Sequence, residues 1–143
     1  MPASTAFAQK LAALLFNRAS VANLADDTTN APLANLFLSL HTSSPGAGGT
    51  ALTNEVSYTG YARKAVARSA GQWSCAGGVA SLVNDQSFPA SGGGAGGTVT
   101  HWAVCEAATG AAEIIAFGTL NSSIPIVTNV TPTIQAGSAV TIG

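Results

Sequence analysis

The sequence predicts a mainly β fold, a β-sandwich of jelly-roll type with one N-terminal amphipathic helix. Three observations carry this. Apolar residues alternate with period two in short runs from Asn35 onward. Gly, Asn or Pro bounds these runs about every eight to twelve residues. The one run with helical period lies at the start of the chain. With 143 residues the chain fits a single domain, 1–143, expected to comprise a helix at 1–19, a connector at 20–34 and a sandwich at 35–143. Folding a chain of this size buries about two-thirds of its surface, enough for a core without disulfides or metals.

Phe7, Leu11, Leu14 and Leu15 fall at i, i+4, i+7 and i+8, which predicts one apolar stripe on a helix over 6–18. Ser4 is placed to cap its first turn, and Arg18 to complement the dipole at its end. Residues 20–32, with Asp26, Asp27, Thr28, Thr29 and Asn30, read as a polar connector. Leu36, Leu38 and Leu40 alternate with Phe37, Ser39 and His41 in a strand with apolar groups on both faces at its start. The turn residues of 43–49 end it. A second strand is expected over 61–68, with Tyr61, Arg63, Ala65 and Ala67 on one side. Short strands follow at 72–75, 79–83 and 86–88. The clearest hairpin joins 99–106 to 112–119 through Thr109-Gly110, and its core side is expected to bring Trp102 and Val104 against Ile115 and Phe117. The tail adds runs at 124–128, 131–134 and 139–142, with Pro125 and Pro132 marking edges. Eight or nine short strands without βαβ spacing make a sandwich, and a jelly roll suits that number.

Hydrophobic residues make up 47% of the chain and charged residues only 8%, against about a quarter in an ordinary domain. So sparse a charge favours burial of surface against partners. A formal net charge of −1 excludes the basic excess needed to neutralise phosphates, and Arg63, Lys64 and Arg68 are too few and too split between faces to form a nucleic-acid stripe. No run of 18 apolar residues exists for a membrane span, and the start Met1-Pro2-Ala3-Ser4 lacks the order of a secretory signal, so synthesis in a host cytoplasm is expected. Cys75 and Cys105 are then expected to stay reduced as small buried hydrophobes, and their spacing without a Cys/His pair excludes a zinc site.

Catalysis by a nucleophile and base requires groups brought together, and the two histidines, His41 and His101, sit in no catalytic signature. His101 and Cys105, four apart on one strand, would lie about 13 Å apart, beyond hydrogen-bond reach. Glu106 and Glu113 flank the hairpin turn. They read as solvated charges and not as a cation site or an acid/base pair, because the turn adds one hydroxyl besides carbonyls. The glycine run 91–97 lacks the GK[ST] ending and following helix of a phosphate cradle. Stacking surface for a glycan comes down to Trp73, Tyr58, Tyr61 and Trp102, with Trp102 better placed in the core. Neither cofactor nor metal is expected, and no enzymatic activity.

The run Leu36-Phe37-Leu38-Ser39-Leu40-His41-Thr42-Ser43-Ser44-Pro45-Gly46 and the run Thr53-Asn54-Glu55-Val56-Ser57-Tyr58-Thr59-Gly60-Tyr61-Ala62-Arg63 resemble a family of small phage virion proteins. So do Val99-Thr100-His101-Trp102-Ala103-Val104, Phe117-Gly118-Thr119-Leu120 and Val130-Thr131-Pro132. Cys105 departs from the small residue, often Gly, that the resemblance implies there. Members are variously labelled tail or fibre components, and the size and predicted jelly roll are also similar to the capsid cement (decoration) proteins exemplified in a Bordetella phage. The resemblance implies a cement protein on the capsid surface that binds the assembled major capsid protein as a homo-oligomer. A tail or fibre component, with glycan contact open to it, is the alternative. Phe7, Leu11, Leu14 and Leu15 are the expected partner-contact residues, docking on a neighbouring copy or on capsid protein, unless the helix caps its own sandwich.

Overall fold

The computed structural model describes residues 4–20, 33–94 and 96–142; of the expected connector at 20–34, residues 21–32 lie outside the described residues. The chain forms two compact units. One comprises Met1–Asn35, Ala67–Asp85 and Gln135–Gly143, the other Leu36–Val66 and Gln86–Ile134. One helix and nine strands occupy the described residues, so the mainly β class with a single N-terminal helix is what the chain adopts.

The first unit holds α1 (Thr5–Asn17), β3 (Trp73–Ala76), β4 (Val79–Leu82) and β9 (Ala139–Thr141). The strands form an antiparallel sheet in the order β3-β4-β9, with Trp73 opposite Leu82 and Ala80 opposite Val140. Ser4 caps α1, its hydroxyl accepting from the Phe7 N–H at 3.2 Å. The face that α1 buries runs through Ala8, Ala12 and Phe16, and α1 packs on β3 and β4. The apolar stripe expected to lead was Phe7, Leu11, Leu14 and Leu15; Phe7 is instead 40% exposed and the three leucines are half-buried. The helix therefore has a partner in its own unit, as the alternative of a helix packed on its own domain requires. Small residues win because the contact is close. Gly78 has φ +80°, and a Cβ there would lie 3.0 Å from the Ala8 Cβ. Gln9 fastens the same turn, accepting from the Gly78 N–H and donating to the Cys75 carbonyl. At the far end Phe16 meets Trp73 edge-on, ring centres 4.6 Å apart.

The cation at the end of α1 is supplied from elsewhere in the sequence. Arg68 donates to the carbonyls of Leu14 and Leu15, and also to that of Leu33. It satisfies carbonyls the last turn leaves open, while Arg18 serves as the left-handed C-cap with φ 56°.

In the second unit, β1 (Asn35–His41), β2 (Lys64–Ala67), β6 (Thr98–Cys105) and β7 (Ile114–Pro125) form a sheet in the order β2-β1-β6-β7, in which β6 runs antiparallel to both β1 and β7. The short strands β5 (Gln86–Ser87) and β8 (Thr133–Ile134) pair separately. Sheets of four, three and two strands are compatible with the expected jelly roll without reproducing its two four-stranded sheets. β1 and the second half of β6 are buried on both faces: Leu38, Leu40, Trp102 and Val104 on one, Ser39, His41, Ala103 and Cys105 on the other.

The β6–β7 hairpin forms, but in a different register from the one expected. Trp102 lies opposite Gly118 and Val104 opposite Ala116, while Phe117 is opposite Ala103 on the other face. A bulge between Val104 and Cys105 sets Ile114 opposite Cys105, leaving Ile115 as the extra residue. One residue of slip moves every side chain of a strand to the other face, which is why Phe117 ends 41% exposed instead of packing on Trp102. The expected strand at 124–128 is not separate, because β7 continues to Pro125. The expected strand at 61–68 shortens to Lys64–Ala67, since Tyr61 turns back to bond the Tyr58 carbonyl. The glycine run at 91–97 packs closely. The Gly92 N–H donates to the Thr59 carbonyl and the Thr59 N–H to the Gly93 carbonyl, and a Cβ on Gly96 would overlap the Ile126 side chain.

Candidate functional site

Within the second unit, polar side chains concentrate where the segment after β1 crosses the β6–β7 turn. Glu55 bridges His41 at the end of β1, and residues 58–63 return beside it. Arg63 meets Glu55 at two points, Nε to Oε1 at 2.7 Å and Nη2 to Oε2 at 2.8 Å. The side chains are 2% and 10% exposed respectively. Arg63 also donates to the carbonyls of Ala107 (3.0 Å) and Gly110 (2.8 Å), so its fork ties the hairpin turn to the segment carrying Glu55. The Tyr61 hydroxyl donates to Glu55 Oε1 at 2.9 Å and accepts from the Leu40 N–H at 3.1 Å. Tyr61 is packed by Tyr58 edge-on and by Phe88 in parallel, and the Tyr58 hydroxyl donates to the Pro89 carbonyl.

Electrostatics follow from this packing. The Glu55 hydrogen bonds hold Arg63 firmly protonated, and burial pushes the Tyr61 phenol far up, so its hydroxyl stays neutral. His41 is fully buried. Its Nδ1 lies 2.9 Å from the Thr53 carbonyl, which only accepts, so the proton is assigned to Nδ1 and Nε2 accepts from the Ser39 hydroxyl at 2.8 Å. Burial lowers its pKa against the opposing effects of the Thr53 bond and of Glu55. Cys105 is likewise pushed up by burial, and its thiol donates to the Phe37 carbonyl.

These groups neutralise and anchor one another. The two Glu55 oxygens receive Arg63 and Tyr61, and Arg63 spends four N–H directions on four acceptor contacts. An open recess alongside, lined by Leu52, Ala62, Thr109 and these same side chains, therefore presents a satisfied ion pair. The network is a clamp on the hairpin turn, with no free acid, base or nucleophile.

The residues singled out from sequence fall elsewhere. His101 is the cross-strand partner of His41 and hydrogen-bonds Thr100 Oγ1 at 2.8 Å; it is not joined to Cys105. Glu106 and Glu113 are exposed at the hairpin mouth, joined through their backbones. Among the described residues no cluster of three His, Cys, Asp or Glu stands ready for a metal. Trp73, Tyr58 and Trp102 are buried, which leaves Tyr61 alone half-exposed of the four possible stacking residues. The expected basic cluster is dispersed: Arg63 enters the clamp and Arg68 the helix cap. Sequence reasoning gave Glu55 no role beyond its place in a run that carries the family resemblance. The available signal was its spacing from Arg63, two opposite charges eight residues apart in a chain with few charges of any kind.

No helix among the described residues is long and apolar enough to cross a membrane. A family model described as Podophage GP4 fiber I protein gp80 matches residues 2–141. No curated protein matches the chain.

Proposed function

Because this chain belongs to the family of the podophage GP4 fiber I protein gp80, a family of phage virion structural proteins, we propose that it is a non-enzymatic building block of the virion's fibres. The family match over nearly the whole chain carries this reading. The clamp agrees with it, since its charged groups are spent on holding a turn and not on a substrate. Sparse charge suits a protein that packs against other virion copies, where repulsion between repeated neighbours would otherwise accumulate. Its partners are then further copies of itself and other virion proteins. The helix surface bearing Phe7, Leu11, Leu14 and Leu15, which the first unit leaves partly open, is the proposed contact.

The cement reading, with the major capsid protein as partner, takes second place, because the family description names a fibre. Copy number and location separate the two. In purified particles the fibre reading expects a band far scarcer than the major capsid protein, and antibody label at fibres in electron micrographs. A band approaching capsid abundance, with label spread over the shell, would overturn it in favour of cement.

A further inference from the structure

We propose that the open recess beside the Glu55–Arg63 pair is a binding site for one ring of a neutral sugar, whose hydroxyls donate to the Glu55 carboxylate and whose C–H face lies on the recess wall. The recess holds about 260 Å³. Leu52, Ala62 and, from the hairpin turn, Ala108 and Thr109 line it together with Glu55 and Arg63. Sites that enclose drug-sized ligands run from about 300 Å³ upward, so this one suits a single ring with the rest of a glycan in solvent.

Mutual neutralisation leaves the ion pair with hydrogen-bonding capacity. An ionised carboxylate accepts at about four lone-pair positions. Among the described residues Glu55 uses three, Oε1 accepting from Arg63 Nε and from the Tyr61 hydroxyl, and Oε2 from Arg63 Nη2. Of the two side chains it is also the more open, 10% exposed against 2% for Arg63. The recess therefore meets an acceptor whose charge Arg63 already matches. A second cation would face Arg63 and an anion would face Glu55, whereas a hydroxyl brings no charge of its own and gains a charge-assisted bond.

The remaining lining fits the rest of such a ligand. Leu52 is 55% exposed, and Ala62 and Ala108 are exposed as well. This is apolar surface with few polar groups set in it, the ordinary make-up of a small-molecule site. The exposed Thr109 hydroxyl can donate or accept. Tyr61, the one of the four possible stacking residues that is not buried, borders the same recess. A pyranose carries both complements, an apolar face of C–H groups and a belt of hydroxyls at its edge. Binding is a property of the isolated chain, so its failure would leave untouched the fibre reading, which rests on the family match.

Saturation-transfer NMR of the purified full chain with the methyl glycosides of glucose, galactose, mannose and N-acetylglucosamine is expected to show transfer to at least one of them, with amide shift changes confined to the segments that line the recess. Thr109→Val removes the rim hydroxyl and is expected to weaken that binding about three- to tenfold, the loss of one neutral hydrogen bond. Ala62→Leu narrows the recess and should abolish binding, with circular dichroism and melting temperature unchanged. If that variant misfolds, Leu52→Ser, at an exposed position, should weaken binding in its place. Val83→Ser, on the exposed surface of the other unit, should bind like the parent. Absence of transfer to every one of the glycosides overturns the proposal, as does a folded recess variant that binds as tightly as the parent. Stronger binding of glucuronate than of methyl glucoside would mean that a free cation governs the site, and stronger binding of N-acetylglycinamide would assign the recess to peptide; either result overturns the neutral sugar.

Discussion

Arg63 and Glu55 lie eight residues apart and meet as a two-point ion pair beneath the β6–β7 turn, with the Arg63 side chain 2% exposed. At this burial each charge depends on the opposite charge beside it, so neither tolerates loss of the other.

Removing one partner is therefore expected to cost more than removing both. Glu55→Leu or Arg63→Met alone should lower unfolding free energy by about 3 to 5 kcal/mol, because a buried charge is left uncompensated. The double variant Glu55→Leu with Arg63→Met should recover a large part of that loss. Urea unfolding of the four proteins in a double-mutant cycle measures it; equal and additive single effects would show that the pair is not coupled.

His41 makes stability depend on pH. Its folded pKa is depressed below the ordinary 6.5 by burial, with Glu55, Arg63 and His101 as the charged or titratable groups around it. The unfolded chain therefore binds the proton first, so this stability is complete above about pH 6.5 and is lost as pH falls from there toward the lowered folded value. Melting temperatures between pH 7.5 and pH 5 should fall for the parent. The His41→Gln variant, less stable throughout, should show a shallower decline.

Trp102 lies opposite Gly118 in the hairpin and is 6% exposed. Trp102→Ala should cost about 3 to 5 kcal/mol by leaving a cavity on a doubly covered sheet. A melting temperature equal to the parent's would mean that the indole is not part of the core.

The two faces of α1 should respond in opposite ways. Phe16→Ala removes the buried partner of Trp73 and should destabilise the fold by about 3 to 5 kcal/mol. Phe7→Ser with Leu11→Ser lies on the open side and should leave the melting temperature within a few degrees while lowering incorporation into particles. Normal incorporation of that double variant would remove the helix surface from the list of contacts.

The sequence by itself determined the elements whose cause is local. Ser4 and the apolar recurrence after it make a capped helix, because capping and helical period act within a few residues. Leu36, Leu38 and Leu40 specify a core strand and the Thr109-Gly110 turn a hairpin, because alternation and turn chemistry are equally short-ranged. The tertiary structure decided which of two apolar faces wins and who pairs with whom. Ala8 displaced the leucine stripe at its turn because only a small side chain fits against Gly78, a residue some seventy positions away. A single bulge at Val104 and Cys105 moved Phe117 off the Trp102 face, and one residue of register is invisible to a pattern of period two when both faces are apolar. Arg68 at the end of α1 and Arg63 on Glu55 read in sequence as a loose basic cluster; only the chain's crossings set each before the carbonyls or the carboxylate that fix its role.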